Sequence, residues 1–595
     1  MGDSNIQEAM RRAVGMHQAG QLEEAAKAYS KIIATAPDYP EALNLHGVVC
    51  GQLGRKGEAV SSLKLAAKLV PDNPAYQQNL GKLLIELGDL ENAEQALRLA
   101  IYLAPNMPQA HANLGNLYKQ QKKFQQAIGC YQKALEFAPT DYKSWNNLGN
   151  TWRELKEYEK AEECLRKAHR IKPDFVEAMS NLGMVLGDRE HPQEALVLFE
   201  QALKLDPASA DLHLNYGNTL RELGRENDAS AAYAEAAVKL DPKHGGAWSA
   251  LGNSALALGN TEYAGECYRR AVELSPEDPA IHFNLALYLL LTGNLKEGFA
   301  EYEWGLRGDM RQPRRPFRQP RWRGEAFKDE ALLVYSEQGL GDTFQFIRFL
   351  PEVKARGGRV ILELQQGLTP LLKDITGVDQ IIERQNDGAI PVGFDKYVAL
   401  LSLPTLLDVT LDNCTPTIPY ICPSDTLLAK ARERLQDDTG FKIAFTWYGN
   451  PAHKNDRNRS CPLEKLAPLI NMPGVSAYAL SPGERTQSDI ADSGLPIKSL
   501  SVTLPEAAAL MHEMDLLVSV DTSHVHMMGA MGRPVWVMLP FSPDWRWLQN
   551  RDDTPWYPGA RLFRQPRPRT WEAVVEQMHA ALAAQLDDPQ RKTAE

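Results

Sequence analysis

A carboxylate that follows an apolar run is the first residue in this sequence that could do chemistry. The run Leu332 to Tyr335 is typical of a buried strand, and it leads into Ser336-Glu337-Gln338-Gly339-Leu340-Gly341-Asp342-Thr343. The two glycines let the backbone approach a ligand closely, and Asp342 comes at the start of the helix that follows. Its carboxylate could accept a proton from a substrate. It could equally cap the helix by accepting from orphan amides, and both interpretations are kept.

A second polar turn follows the apolar run Leu516 to Val520. It reads Asp521-Thr522-Ser523-His524-Val525-His526 and leads into another helical stretch. A strand, a polar turn and a helix together present amides, hydroxyls and the positive end of a helix dipole to an anionic group, such as the phosphates of a nucleotide sugar. The methionines that follow, Met527, Met528 and Met531, have the spacing of a buried helix face.

A third candidate is the basic loop that follows the strand Ile443 to Trp447. Within Trp447 to Ser460 it contains His453, Lys454, Arg457 and Arg459, bounded by glycine and proline. Such cations could neutralise a departing phosphate. The spacing alone does not choose among Lys454, Arg457 and Arg459, and an ordinary surface loop is the alternative.

The sequence shows neither a metal-binding motif nor a cysteine pattern typical of disulfides. It contains no Asp-x-Asp pair, so we expect catalysis without a metal or other cofactor. The seven cysteines are an odd number without paired metal-ligand spacing, so we expect reduced thiols. Cys130 and Cys164 are one repeat apart and Cys267 has the equivalent place in a later repeat, which predicts a small buried packing position.

The three turns belong to a region in which short apolar runs alternate with helical stretches, starting at Ala331. This alternation predicts two successive doubly wound α/β domains, residues 331–423 and 424–595. Ligands bind such domains beyond the carboxyl ends of the strands, where these turns lie. We expect strands at 332–335, 360–364, 380–382, 397–400, 443–447, 475–480, 516–520 and 535–539, and helices at 342–355, 368–375, 424–435 and 571–586.

The N-terminal half has a period of 34 residues, broken once by a step of 35. One copy reads Trp145, Leu148, Gly149, Tyr158, Ala161, Ala168, Pro173, which resembles the tetratricopeptide pattern of paired helices. A single helix pair cannot bury its apolar face, so the copies must stack into an α-solenoid with a concave surface. The prolines that mark the period are Pro37, Pro71, Pro105, Pro139, Pro173, Pro207, Pro242 and Pro276. We expect eight full repeats and a partial ninth within residues 1–305.

An asparagine recurs with the same period inside the repeats. From Asn79 to Asn215 each one comes just before a Leu-Gly or Tyr-Gly pair, the series is interrupted at Ala250, and it returns at Asn284. An amide both donates and accepts, so a column of amides could hold the backbone of a protein acceptor regardless of its sequence. The alternative is that these amides cap or cross-link helices within the solenoid. The candidate acceptor-binding residues are Asn79, Asn113, Asn147, Asn181 and Asn215.

Between the repeats and the α/β region, residues 306–330 form a basic, proline-rich linker. Prolines at 313, 316 and 320 prevent a regular helix. The arginines either strap the linker to the solenoid or the next domain, or contact a phosphorylated or acidic ligand. They are Arg307, Arg311, Arg314, Arg315, Arg318, Arg321 and Arg323.

The turns themselves resemble those of a known enzyme family, the heptosyltransferase-like glycosyltransferases of GT-B fold. The turn around Gly341 and Asp342 is similar to the one that carries the general base of that family. Asp521, Thr522 and His526 match its DTGxxH turn, while Ser523 replaces the glycine. The resemblance implies that the basic loop contacts the donor phosphate, and that the last helix, Trp571 to Leu586, returns to pack on the first α/β domain.

The asparagine column resembles that of protein O-GlcNAc transferase, whose repeats hold protein substrates. The whole layout is similar to repeat-containing enzymes that glycosylate flagellins from a CMP-activated nonulosonic acid. The resemblance implies a protein O-glycosyltransferase with flagellin as acceptor and a nucleotide sugar as donor. Two alternatives remain, a scaffold that has lost turnover and a transferase acting on lipid-linked or polysaccharide acceptors.

Length, charge and apolar runs limit the partners and the cellular location that we expect for this protein. The chain has 595 residues and a formal net charge of −11, which disfavours a general nucleic-acid binder. Its apolar runs, such as Leu285 to Leu291, are much shorter than the ~20 residues that span a bilayer. The first residues, Met1-Gly2-Asp3-Ser4, lack a basic start and an apolar stretch, so we expect a cytoplasmic protein with no membrane span.

Overall fold

The structure is a computed structural model that describes residues 3–223, 228–308, 310–313, 315, 317–415, 417–451, 455–480 and 483–587. It forms two compact units, which divide between Pro242 and Lys243. Among the residues singled out from the sequence, His453 and Lys454 of the basic loop and Arg314 and Pro316 of the linker lie outside the described residues.

The first unit is a run of paired helices. Each helix packs against the next, and the first helix of a repeat also contacts the first helix of the following repeat, as in α3 with α5 and α9 with α11. The helices are α1 Asp3–Gln18, α2 Leu22–Thr35, α3 Pro40–Gln52, α4 Lys56–Leu69, α5 Pro74–Glu86, α6 Leu90–Leu103, α7 Pro108–Gln120, α8 Phe124–Phe137, α9 Tyr142–Glu154, α10 Tyr158–Ile171, α11 Val176–Asp188, α12 Pro192–Leu205, α13 Ala210–Glu222 and α14 Asp228–Leu240.

The repeated glycine sets how closely the two helices of a repeat approach. A Cβ atom at Gly149 of α9 would lie 3.0 Å from the carbonyl oxygen of Ala161 and 2.6 Å from Cγ of Leu165, both on α10. Gly81 of α5 meets Cγ of Leu97 on α6 at 2.6 Å in the same way. Any side chain there would push the helices apart, which explains why glycine keeps the 34-residue period.

The recurring cysteine is a packing residue, as predicted. Cys164 and Cys267 are buried, Cys130 is half-buried, and all seven cysteines are described and free of disulfides. Burial raises the pKa of each of these three thiols to about 11. They therefore stay protonated at neutral pH and behave as small apolar side chains.

The second unit starts with the last two helix pairs of the solenoid and continues into a first α/β lobe. A 3-10 turn, Glu303–Leu306, ends the repeats. The four strands of the lobe are all parallel in the order β3-β2-β1-β4, with Leu333 opposite Ile361 on one side and Tyr397 on the other. The elements are α15 Gly245–Ala257, α16 Thr261–Leu274, α17 Pro279–Leu291, α18 Leu295–Tyr302, β1 Ala331–Tyr335, α19 Leu340–Phe346, α20 Leu350–Lys354, β2 Arg359–Leu364, α21 Thr369–Leu372, β3 Gln380–Glu383, β4 Lys396–Ala399 and α22 Leu403–Leu406.

A second α/β lobe completes this unit. Its six strands are also parallel, in the order β10-β9-β8-β5-β6-β7. The elements are α23 Asp425–Leu435, β5 Phe441–Thr446, α24 Asp456–Arg459, α25 Ala467–Ile470, β6 Val475–Ala479, α26 Glu484–Ser493, β7 Ile497–Ser499, α27 Leu504–His512, β8 Leu516–Val520, α28 Ser523–Ala530, β9 Val535–Leu539, β10 Ala560–Arg564 and α29 Trp571–Leu586.

In both sheets, the direction in which the chain adds successive strands reverses at the strands that carry the candidate turns. In the first lobe the chain moves outward from β1 through β2 to β3, and then returns to the other side of β1 with β4. In the second lobe the same reversal falls between β5 and β8. Ligands of doubly wound sheets bind at such reversals, beyond the strand ends. The turns after β1, β5 and β8 therefore occupy the expected ligand-binding positions.

Several predicted elements differ from those observed. The helix expected over 342–355 is broken into α19, a 3-10 turn and α20, because Pro351 lacks an amide and its ring excludes the carbonyl four residues earlier. The helix expected over 368–375 is reduced to one turn, and the short strands β7 and β10 were not predicted.

The prediction that the last helix returns to the first α/β domain is wrong. Helix α29 packs on the second lobe, against α25 and β10. Trp571 and Val575 share the apolar core of that lobe, and the Trp571 indole donates to the carbonyl oxygen of Ser460 at 3.1 Å. An apolar helix face packs where its own lobe leaves an uncovered sheet, and α29 covers the six-stranded one.

Two of the linker arginines, Arg311 and Arg315, strap the chain to the first lobe, in agreement with the structural interpretation. Arg311 is fully buried; it donates to Glu337, which is also fully buried, and to Glu303 at 2.8 Å. Arg315 pairs with Glu363 of β2 in the same manner. The carboxylates compensate these buried guanidinium charges, so the arginines hold the linker in place. Among the described residues, the helices fall short of the length and apolar character needed to cross a bilayer.

Candidate functional site

Two of the predicted turns come together where the lobes meet. Helix α19, after β1, packs on α28, after β8. Gly341 makes this possible, since a Cβ atom there would lie 2.8 Å from Cδ2 of His526 and 3.5 Å from Cα of Ser523. The structure therefore brings Gly341, Asp342, Ser523 and His526 into one site, although 182 residues separate Gly341 from Ser523 in the sequence.

We predict that Gly341→Ala separates the two turns. His526 cannot move aside easily, because it is buried and packed on Trp547, so overpacking should cost about 1–3 kcal/mol. Thermal unfolding should show a lower Tm. Gly393→Ala is the matched control, since no atom lies within 4 Å of a Cβ placed there. Equal Tm values for the two variants would contradict close packing at Gly341.

Both carboxylate oxygens of Asp342 accept hydrogen bonds. Its Oδ2 accepts from the backbone N–H of Gly339 at 2.9 Å, so the carboxylate does cap the helix. Its Oδ1 accepts from Nη2 of Arg546. Burial raises the pKa of Asp342, and the Arg546 charge opposes that rise. The side chain keeps 17% of its surface exposed, so capping does not remove it from solvent or ligand.

Arg546 comes from the loop after β9 and joins four groups. Its Nη1 donates to Asp544 Oδ1 at 2.8 Å and its Nε donates to Gln345 Oε1 at 2.7 Å, in addition to the Asp342 bond. Its guanidinium lies 4.4 Å from the ring centroid of Trp545. The two carboxylates raise the pKa of Arg546 although burial opposes this, so the side chain stays charged.

Asp521 and His526 form the second half of the site. Burial and the neighbouring Asp544 carboxylate raise the pKa of Asp521 to about 6. His526 Nδ1 lies 2.9 Å from the Tyr557 hydroxyl, and its Nε2 lies 4.0 Å from Asp521 Oδ1. Burial lowers the pKa of His526 well below its usual range, so the imidazole is neutral. This arrangement places a carboxyl group with a raised pKa beside a neutral histidine.

The hydroxyls of the second turn lie at the start of α28. Thr522 precedes the helix, and its hydroxyl is 3.0 Å from that of Ser519. Ser523 is the first helical residue, and its side chain is half-buried. His524, next along the chain, is half-buried with Nδ1 3.4 Å from Thr446 Oγ1, and burial lowers its pKa to about 4. Its neutral ring joins the end of β5 to the turn after β8.

The basic loop contributes Arg459 to this region. Its Nη1 donates to the carbonyl oxygen of Asp521 at 3.2 Å, and its Nη2 donates to that of Asn450 at 3.4 Å. The structure therefore links the turn after β5 to the turn after β8. Arg457 is exposed on the same short helix, and Lys454 lies outside the described residues. The phosphate-contacting role of these three cations stays a prediction.

The asparagine column runs along the first helices of the repeats, and three of its members bond to the preceding repeat. Asn79 Nδ2 donates to Asn44 Oδ1 at 3.0 Å, Asn147 to Asn116 at 3.0 Å and Asn181 to Asn146 at 2.8 Å. Asn113 and Asn215 are half-buried and make no side-chain hydrogen bond to any residue described in the structure. The column thus cross-links helices at some repeats, while its role in acceptor binding stays a prediction.

The last repeat borders the site. Trp545, next to Arg546, has its ring centroid 5.6 Å from that of Phe299 on α18 and 6.4 Å from that of Tyr302. Thr405 Oγ1 of the first lobe donates to the carbonyl oxygen of Phe299 at 2.8 Å. The helices α17 and α18 are therefore packed into the α/β lobes.

Three residues of the site, Arg546, Asp544 and Gln345, were not predicted from the sequence. The first two lie in Asp544-Trp545-Arg546-Trp547, which follows β9 at the same edge of the sheet as the other turns. A charged and aromatic run after a parallel strand was the signal available for them. Gln345 has no local signal, since its role depends on the arginine that reaches it from 201 residues away.

Comparison with protein families confirms the repeats. Residues 18–74 match the model described as a tetratricopeptide repeat, and residues 252–293 match one described as a TPR repeat. Residues 73–243 match the model of the cilia and flagella-associated protein 70 C-terminal domain. The N-terminal part of the chain therefore contains tetratricopeptide repeats, and an α/β region of parallel sheets follows them.

One known protein is similar to this chain over a longer stretch than the repeats alone. Protein FlbA of Caulobacter vibrioides is 26% identical over 431 residues, which is 62% of this chain and 72% of the relative. Among solved structures, the APC/C hetero-tetramer Cut9–Hcn1 is 17% identical with a TM-score of 0.40, and covers 47% of this chain. This chain spans 55% of that one. PilF of Pseudomonas aeruginosa is 22% identical with a TM-score of 0.31, over 34% of this chain and 93% of PilF.

Proposed function

We propose that this protein is a protein O-glycosyltransferase of GT-B type. In this proposal it moves a sugar from a nucleotide-activated donor to a serine or threonine of a protein that the repeats recruit. The chemistry takes place where the two α/β lobes meet. Flagellin is the proposed acceptor and a CMP-activated nonulosonic acid the proposed donor, both from the similarity of layout alone.

One observation carries the proposal. The turns after β1, β5 and β8, each at a point where its sheet reverses direction, meet around Asp342, Asp521 and Arg459. They combine a carboxylate with a raised pKa, the N-terminus of α28 and a guanidinium. A base facing a phosphate-binding turn is the arrangement that glycosyl transfer from a nucleotide sugar requires.

The mechanism follows from the types of group present. Asp342 accepts the proton of the acceptor hydroxyl as its oxygen attacks the anomeric carbon. The bond from that carbon to the donor phosphate breaks, and the phosphate leaves with the electron pair. Arg459, the α28 amides and the hydroxyls of Thr522 and Ser523 stabilise its charge without a metal ion. A base whose pKa is raised toward neutrality transfers protons more effectively than an ordinary carboxylate.

A screen of nucleotide sugars by thermal shift tests the donor half of the proposal. A ligand that binds only the folded protein raises its apparent Tm. The sugar that does so is then incubated, in radiolabelled form, with the protein and a cell extract. We expect label in protein at serine or threonine.

Two other results would replace the proposal. If no nucleotide sugar raises the Tm or is turned over, while partner proteins still bind, the α/β lobes serve as a scaffold. If label enters glycolipid or polysaccharide and not protein, the acceptor assignment is wrong and the repeats serve assembly.

The asparagine column gives a prediction for acceptor recruitment. Asn113→Ala with Asn215→Ala removes two amides that cross-link nothing in the described chain, so stability should not change. If each amide contributes about 0.5–1.5 kcal/mol to holding an acceptor backbone, the affinity should fall by on the order of tenfold. Binding of the acceptor is measured by calorimetry and folding by thermal unfolding.

The comparison variant is Asn147→Ala with Asn181→Ala. These amides donate to Asn116 and Asn146, so their loss should lower the Tm as well as the acceptor affinity. Wild-type affinity in the Asn113, Asn215 variant would show that the column serves only to join repeats. Donor binding should be unchanged in both variants.

A further inference from the structure

An arginine from the second lobe bonds to Asp342 of the first lobe. Arg546 lies on the 3-10 turn Trp545–Trp547, and Asp342 lies on α19 of the first lobe. They form an ion pair in which the Arg546 side chain is 11% exposed and that of Asp342 is 17% exposed. An ion pair so far removed from water is stronger than a surface pair, and leaving either charge without its partner is costly.

The arginine is itself held rigidly. Each of three nitrogens of the guanidinium has a separate partner, namely Gln345 for Nε, Asp544 for Nη1 and Asp342 for Nη2. Gln345 is one turn after Asp342 on the same helix, so α19 holds the arginine at two points. The planar fork of an arginine fixes direction as well as charge, which a lysine cannot do.

Trp545 anchors this turn in the protein core. Its buried ring packs edge-on against Phe299 of the last repeat, with centroids 5.6 Å apart, and against Trp556, with centroids 6.0 Å apart. The neighbouring guanidinium lies against its face. Arg546 is therefore positioned by packing that involves both lobes and the last repeat.

Other charged groups surround the pair. Asp544 and Asp521 are further acids on the second lobe, and Tyr302 and Glu337 face the pair from the last repeat and the first lobe. Arg311 pairs with Glu337, and the charges of Arg348 and Arg546 both act on the neutral His526. Arg546 is thus the cation that balances Asp342 among several acids.

We propose that Arg546 is a positioning residue for Asp342, which holds the carboxylate in one orientation and balances its charge across the lobe boundary. The inference rests on the proposed function, because it gives Arg546 a part in a transfer reaction in which Asp342 is the base. Arg546 acts through Asp342 and makes no contact with the reacting atoms.

The pH dependence of transfer is the first test. Removing a cation next to a carboxylate raises its pKa by roughly 1–3 pH units. In Arg546→Gln, the pH at which activity falls on the acid side should therefore move upward by about that amount. Arg546→Lys should keep the wild-type pH profile but lose roughly tenfold in kcat, with an unchanged KM for the donor. A wild-type profile and kcat in Arg546→Gln would overturn the inference.

Arg432→Gln is the matched control for removing an arginine. Arg432 donates through Nε and Nη2 to Glu513, both at 3.1 Å, but its side chain is 62% exposed and lies away from the three turns. Its pH profile should equal that of wild type. A shift as large as that of Arg546→Gln would show a general charge effect and would overturn the inference.

A second measurement does not need turnover. At about pH 8 the Asp342 carboxylate of Arg546→Gln is charged and unbalanced, whereas at about pH 5 it is more fully protonated. The Tm loss of Arg546→Gln should therefore be larger at about pH 8, and Asp342→Asn in the same chain should reduce that difference. If wild type transfers no sugar, the proposed function fails while this coupling remains. A Tm loss equal at both pH values and additive with Asp342→Asn overturns the inference itself.

Discussion

Asp342→Asn should reduce sugar transfer to the protein acceptor by roughly 10²- to 10⁴-fold, the usual contribution of a positioned general base. An amide oxygen can still accept from the Gly339 N–H, so the cap of α19 is kept. The amide cannot take a proton from the acceptor hydroxyl. Transfer is measured by incorporation of labelled sugar, and donor binding by thermal shift, which should remain close to that of wild type.

The control is an aspartate that only caps a helix. Asp278 precedes α17 and accepts from the backbone N–H of Ala280 at 2.9 Å, as Asp342 does from Gly339. Asp278→Asn should retain full transfer. Asp342→Asn removes one carboxylate partner of Arg546, but Asp544 still balances that arginine, so only a modest loss of Tm is expected in this variant. Full turnover in that variant would remove Asp342 from the mechanism.

Removal of residues 1–242 should abolish modification of the protein acceptor while preserving nucleotide-sugar binding. The cut falls where the two compact units divide, so the remaining chain keeps α15 to α18 with the α/β lobes. Those helices belong with the lobes, as Thr261 donates to Gln549 at 3.3 Å and Phe299 packs on Trp545. Acceptor modification is measured with labelled sugar and donor binding by thermal shift.

A cut after Tyr302 is the comparison. It removes the helices that pack on the lobes, exposes the Phe299 side of Trp545, and should lower the Tm of what remains. The shorter deletion should unfold at a Tm close to that of the full chain's α/β region. If the protein without residues 1–242 modifies its acceptor at the wild-type rate, the repeats it lacks do not recruit the acceptor.

The repeats could be predicted from the sequence because their determinants are local. A glycine on one helix faces the partner helix of its own repeat, as Gly149 faces Ala161 and Leu165, so the pattern recurs wherever the unit recurs. Central strands of the α/β lobes such as β1, β8 and β9 were predictable for a similar reason, since each is a short apolar run buried on both faces, whereas β7 and β10 lack that pattern. Strands β8 and β9 begin and end as the sequence predicts.

The candidate turns were also predictable, because a polar segment after a buried strand lies at the edge of a parallel sheet. The contacts that these turns make could not be predicted. Asp342 was given a choice between capping α19 and acting as a base, and the structure shows that one oxygen caps while the other meets Arg546. The asparagine column was likewise ambiguous, since only the stacking of repeats places Asn147 beside Asn116.

The sequence by itself therefore determined the repeating helix pairs, the parallel strands and the turns that follow them, because each depends on residues a few positions apart. The tertiary structure alone decided that Arg546 reaches Asp342 across 204 residues, that α29 stays on its own lobe, and that the compact units divide after Pro242. These contacts join segments far apart in the chain. They depend on which apolar faces and charges remain unpartnered once the local elements have formed.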